Sequence, residues 1–267
     1  MTYKTLEYER KGSVAWIRLN RMENGNALNE EMGIDLMNAA WECEHDEHVR
    51  VVVLTGNGKS FSFGGDLKSF ASHGEGISQH LKNVTAFLHE AVSRFVHMKK
   101  PVIAGVNGTA AGAGMSLAMM GDLVIAAESA KFTMAYTNIG LTPDGSASYF
   151  LPRIVGVKRA LELAITNRVL TAREAEEWGI VTKVAPDDEF KRELEELANR
   201  LAEGPVEAFG SAKALIYGSF HETLESQMAK ESFSIARHSS LPEGKEGIDA
   251  FLEKRKANFV KVDNAST

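Results

Sequence analysis

The stretch KPVIAGVNGTAAGAGMSLAMMGDLVIAAES, Lys100 to Ser129, decides the fold of this chain. It begins and ends on short apolar runs, PVIAGV and DLVIAA, bounded by Gly, Asn and Asp, which is the pattern of fully buried strands. Between them a glycine-rich turn passes into AGMSLAMMG, which has the spacing of a short helix. A buried strand, a turn, a helix and a second buried strand imply a parallel sheet with helices on its faces. Outward from this stretch, RVVVLTG (Arg50 to Gly56) reads as another buried strand, and LEYER and VAWIRLN, joined by KGS, as a hairpin. ALNEEMGIDLMNAAWECEHD and ISQHLKNVTAFLHEAVSRFVHM read as helices. From about Ser148 onward the pattern is almost wholly helical, through KRALELAITN, TAREAEEWG, DEFKRELEELANRLAEG, PVEAFGSAKALIYG and FHETLESQMAKESFSIARHS. The expectation is an α/β core with a C-terminal helical layer and no visible internal repeat or flexible linker.

Length and composition bound the function. The 267 residues suffice for one large domain, or for one domain and a small appendage. A net charge of -6 argues against a general nucleic-acid binder, which would show a basic face. The cations of EKRKANF (Glu253 to Phe259) read as a solvated helix face. The single cysteine, Cys43, excludes an internal disulfide or a thiolate metal cluster. His45, His48, His80, His89 and His97 fall on helices without a shared motif, so no metal site is expected. The start, MTYKTLEYERKG, lacks the apolar core of a signal peptide and no run approaches a membrane span, so the expectation is a cytoplasmic protein without a membrane partner.

Two glycine-rich turns follow strands: FSFGGDL (Phe61 to Leu67) and NGTAAGAG (Asn107 to Gly114). The second opens a helix whose first turn is all small residues, leaving free N–H groups open to a ligand oxygen. Neither carries the Gly-Lys-Ser/Thr ending or the G-x-G-x-x-G pattern of phosphate and dinucleotide loops. Small residues packing a helix on a sheet would explain one such loop. Two in one α/β core point to two backbone donors converging on one oxygen, as in an oxyanion hole.

With these motifs in view, the chain resembles the crotonase, or enoyl-CoA hydratase/isomerase, superfamily over nearly its whole length. The resemblance runs through NALN, FSFGGDL, KPVIAGVNGTAAGAG, GDLVIAAESAKF, GLTPDGSASYFLPRIVG, EAEEWGIVTKV and EGIDAFLEKRKANF. It implies a crotonase-like ββα spiral core, with residues 1–200 as the acyl-CoA-binding unit and 201–267 as a helical trimerisation segment. It also implies a homotrimer or hexamer, an acyl-CoA thioester as substrate, and no cofactor beyond the coenzyme A that the substrate carries. The oxyanion donors would be the amides of Gly65 and Ala113, beside Gly112; alanine at 113 replaces the usual glycine but keeps the main-chain N–H. Substrate and coenzyme A contacts would come from Phe63, which stands where alanine is usual, and from Asp66, Leu67, Tyr136, Phe251 and Lys254.

The resemblance leaves the reaction open, because an oxyanion hole only stabilises an enolate. Hydratases of the family carry glutamates where this chain has Ser116 and Tyr136. Its carboxylate stands elsewhere, at Asp144 in the turn PDG, as in members that move double bonds or open aromatic-derived rings. Asp is also a common turn residue, so punctuation is the bland alternative. One base is enough for a 1,3-proton shift, so the expected activity is isomerisation of a 3-enoyl-CoA to a 2-enoyl-CoA with Asp144 as acid and base. The alternatives are hydration of an unusual acyl-CoA and non-catalytic acyl-CoA binding.

Overall fold

Strands made of consecutive Val, Ile and Ala are apolar on both faces and need cover on both sides. The computed structural model describes residues 2–264 and supplies that cover. The chain opens with the strands β1 (Leu6–Lys11) and β2 (Val14–Leu19) and the helix α1 (Glu30–His45). Three related units follow. The first is β3 (Val51–Gly56), β4 (Ser60–Ser62), α2 (Leu67–Ala71) and α3 (Ile77–His97). The second is β5 (Val102–Val106), β6 (Thr109–Ala111) and α4 (Ala113–Met119). The third is β7 (Leu123–Ala127), β8 (Lys131–Thr133), α5 (Ala147–Val155) and α6 (Val157–Thr166). The remainder comprises β9 (Leu170–Thr171), α7 (Ala172–Glu177), β10 (Lys183–Ala185), α8 (Phe190–Ala202), α9 (Val206–Gly218), α10 (Leu224–Ser240), α11 (Pro242–Leu252) and α12 (Phe259–Asn264).

Each unit gives its longer strand to one sheet and its shorter strand to another. The six-stranded sheet has the order β1-β2-β3-β5-β7-β10, and the four-stranded sheet β4-β6-β8-β9. Pairing is parallel from β2 across to β10, and antiparallel only at the β1–β2 hairpin and at β9. Three superimposed ββα turns make this the crotonase-like spiral, closed by the C-terminal helices.

Alternation along the strands divides the core. Val52, Leu54, Val102, Ala104 and Val124 face a large cluster with Leu36, Leu88, Phe95 and Met115 from α1, α3 and α4. Their neighbours Val51, Val53, Ile103 and Ile125 face the other way, onto Leu194, Ala198 and Ala202 of α8. Each fully buried aliphatic side chain contributes ~1.5–3 kcal/mol, so both faces of the sheet stabilise the spiral. Among the described residues no helix is long and apolar enough to cross a membrane.

Three expectations change. The spiral is an internal structural repeat, although the sequence shows none. The segments before the two glycine turns, Ser60–Ser62 and Thr109–Ala111, are short strands of the second sheet. The part after Ser148 is not purely helical, since β9 and β10 extend the two sheets. Strands of two or three residues are too short to show a period, and their partners lie far along the chain.

Candidate active site

The two glycine turns meet because glycine lets them. Gly64 has φ +88°, and a β-carbon there would lie 2.7 Å from the Ala111 carbonyl oxygen and 3.1 Å from the Ala113 nitrogen. Gly112, at φ 53° and ψ -126°, turns the chain sharply into α4. With no side chain at either point, the backbone of residues 63–65 packs directly on that of 111–113.

This packing sets the direction of two amides. Leu28 bridges Gly65 in parallel fashion, donating to the Gly64 carbonyl (2.7 Å) and accepting from the Asp66 amide (2.8 Å). The amide of Gly65 itself takes no part in that bridge and points away from Leu28. Ala113 is the first residue of α4, where an N–H has no partner within the helix. Gly65 and Ala113 both line a cavity of about 480 Å³. Its apolar wall is built by Phe70, Leu81, Val84 and Leu88, with Phe63 and Leu67 about half exposed. Gly112, Tyr136, Pro143 and Asp144 complete the side next to α5.

Asp144 is held at both ends. Its carbonyl oxygen accepts from Ser116 Oγ at 2.7 Å and from the Tyr136 hydroxyl at 3.0 Å. Its carboxylate oxygen Oδ1 lies 2.7 Å from His89 Nε2 on α3. Ser116 is fully buried, and burial pushes the Tyr136 phenol up, so Tyr136 stays protonated and able to donate. Ser116 and Tyr136, the positions where the resemblance leads one to expect glutamates in a hydratase, thus both donate to the backbone of Asp144. The sequence offers no reason to place His89 at the site, and it marks Ser116 only as a missing-glutamate position, not as a partner of Asp144. The signal for His89 is its place next to Leu88, a cavity-lining residue of α3, but without the fold nothing in the sequence directs it to Asp144.

Other expected contacts fall elsewhere. Asp66 does not line the cavity. Its carboxylate pairs with Arg21 at 2.8 Å and caps α2 through the Ser69 amide at 3.1 Å. Burial alone would raise this carboxyl, but the Arg21 guanidinium and the Ser69 amide hold it below the usual range. Phe251, at the end of α11, is 82% exposed, and Lys254 follows it on the surface; neither lines the cavity within this chain. Asp122 has a structural partner, since Lys213 of α9 reaches it at 2.8 Å and also donates to the Phe95 carbonyl at 2.9 Å.

A cavity that presents two backbone donors beside a single fixed carboxylate is the arrangement expected for enolate chemistry on a thioester. Residues 9–262 match the enoyl-CoA hydratase/isomerase family. The chain belongs to that family. It is 38% identical to the 1,2-epoxyphenylacetyl-CoA isomerase of Escherichia coli K12, over 95% of this chain and 97% of the relative. It is 33% identical to 4-chlorobenzoyl coenzyme A dehalogenase-2 of Arthrobacter, over 97% of this chain and 94% of the relative. The crystal structure of an enoyl-CoA hydratase from Polaromonas sp. JS666 superimposes with a TM-score of 0.91 at 33% identity, covering 95% of this chain and 98% of that one. The family member described here is thus an enzyme of the acyl-CoA hydratase and isomerase group, with the crotonase fold.

Proposed function

We propose that this crotonase-family enzyme is an acyl-CoA isomerase that converts a 3-enoyl-CoA to a 2-enoyl-CoA. The observation that carries the reading is that, among the described residues, Asp144 is the only carboxylate lining the cavity at Gly65 and Ala113. The thioester carbonyl oxygen accepts from the amides of Gly65 and Ala113, and Asp144 takes a proton from C2. The C2–H electron pair moves into a dienolate whose negative charge rests on the thioester oxygen between the two amides. Asp144 then returns the proton at C4, leaving the double bond between C2 and C3. Hydration needs a second acid–base group, and Ser116 and Tyr136 do not supply one at neutral pH. The relative named 1,2-epoxyphenylacetyl-CoA isomerase supports isomerase chemistry on a thioester.

The experiment is a screen of acyl-CoA thioesters followed by mass and by double-bond position, repeated with Asp144→Asn. That variant keeps the shape and loses the base, so isomerisation should fall by ~10²–10⁴-fold with little change in affinity. Isomerisation within a few-fold of wild type by Asp144→Asn would sink the reading. A 3-hydroxyacyl-CoA product would mean hydration instead, and binding without turnover would mean an acyl-CoA-binding protein.

A second reading uses the same carboxylate as a nucleophile. Asp144 Oδ2 would attack a halogen-bearing ring carbon of an aryl thioester, halide would leave, and water would hydrolyse the resulting ester. The similarity to the Arthrobacter dehalogenase supports it. Chloride release from 4-chlorobenzoyl-CoA tests it directly.

The C-terminal helices support a further part of the proposal, a homotrimer or a pair of trimers. Phe233, Ile235, Leu224, Phe251 and Leu252 are all at least two-thirds exposed. So much apolar surface on successive helices needs a partner surface.

A further inference from the structure

We infer that His89 is a positioning residue for the proton-transfer step, fixing one oxygen of Asp144 so that the other faces the substrate. The inference rests on the isomerase reading above and adds to it the group that orients the base.

A carboxylate on a loop can rotate about its own side chain, and a base that moves a proton between two carbons loses rate with every unproductive orientation. Asp144 sits on such a loop, in the segment leading to Ser146, the residue that precedes α5. Its backbone is already pinned, because Ser116 and Tyr136 both donate to its carbonyl oxygen. Only the side-chain torsions remain, and the contact between His89 Nε2 and Oδ1 at 2.7 Å removes them. Oδ2 is left for the substrate. The 1,3-shift asks one oxygen to reach C2 and then C4 while the dienolate is held at Gly65 and Ala113, and a carboxylate fixed at Oδ1 can do so without turning.

The backbone of His89 is held by the long helix α3, next to Leu88, which is 2% exposed and lines the same cavity as Asp144. The imidazole lines a neighbouring cavity of about 620 Å³ together with Ser146, Tyr149 and Tyr217. It does not line the cavity at Gly65 and Ala113, and so leaves the substrate's space free. The His89 side chain is 53% exposed, so its replacement should leave the fold intact.

The test compares His89→Leu, His89→Gln and each combined with Asp144→Asn, assayed on the best 3-enoyl-CoA from the screen. His89→Leu should lower kcat by ~10–100-fold with KM within about two-fold, the loss expected when a reacting group is held in the wrong orientation. His89→Gln, whose amide can donate at a similar reach, should recover most of that loss. In the Asp144→Asn background neither change should matter further. A kcat within two-fold of wild type for His89→Leu, with Asp144→Asn inactive, would overturn the inference and leave the role of Asp144 standing. Equal loss in His89→Leu and His89→Gln would also overturn it, because hydrogen-bond donation would then not be the reason. An active Asp144→Asn enzyme would remove the isomerase reading itself, and this inference with it.

Discussion

Ser116 Oγ donates to the carbonyl oxygen of Asp144 at 2.7 Å, across 28 residues of sequence. The Tyr136 hydroxyl donates to the same oxygen and lies 3.1 Å from Ser116 Oγ. The loop that carries the carboxylate is therefore tied to α4, the helix that starts at Ala113. The loop of the proposed base and the helix of the proposed oxyanion donor are thus joined by a direct hydrogen bond.

Ser116→Ala and Tyr136→Phe should each lower kcat by several-fold with KM little changed, because each leaves the other hydroxyl and the longer Ala147 amide contact (3.3 Å) on the Asp144 carbonyl. The double variant should lose more than the product of the two, since both hydroxyl donors to the Asp144 carbonyl are then gone and only the Ala147 amide remains. Steady-state kinetics on all three variants measure this. Strict additivity would show that the two hydroxyls act independently of each other.

Ala113→Pro removes one N–H at the first position of α4, a position proline can take in a helix, although its ring must fit against Gly64. Turnover should fall by ~10²–10³-fold, the usual loss for one oxyanion donor, with the far-ultraviolet circular dichroism unchanged. A folded variant with near-normal turnover would rule out the Ala113 amide as a donor.

Asp66 is tied to Arg21 and to the Ser69 amide, so Asp66→Asn should cost stability of ~1–3 kcal/mol at neutral pH, the scale of a charged hydrogen bond. The folded-state pKa lies below the ordinary value of 3.8. The stabilisation is thus fully present above 3.8 and is lost as the pH falls through the lower, folded-state value. The gap in urea midpoint between wild type and Asp66→Asn should narrow on going from neutral pH to about pH 3. A gap that widens in acid would contradict the pairing.

Sedimentation equilibrium at micromolar concentration should give three or six times the 29.2 kDa chain mass. Phe233→Lys and Ile235→Lys, at two exposed positions of α10, should shift the population towards monomer. A wild-type monomer under the same conditions would exclude the assembly proposed for the C-terminal helices.

The sequence by itself determined the long strands, the helices and the two glycine turns. Runs such as VVVLTG and VIAGV, and the apolar stripe of α3, follow from short-range periodicity and burial, which act over a few residues. Motif order also carried the family, and it singled out Gly65, Ala113 and Asp144. Tertiary structure alone decided the rest. The short strands β4, β6 and β8 hold together only through partners outside their own segment, and the three ββα turns repeat in space while each meets different neighbours, so their side chains differ. Asp66 was legible as an acid in a glycine turn, but its commitment to Arg21 was not. His89 lies 55 residues from Asp144 and Ser116 lies 28, and neither shares a period or a motif with it. Hydrogen bonds over such separations depend on how the spiral closes, which leaves no trace in local composition.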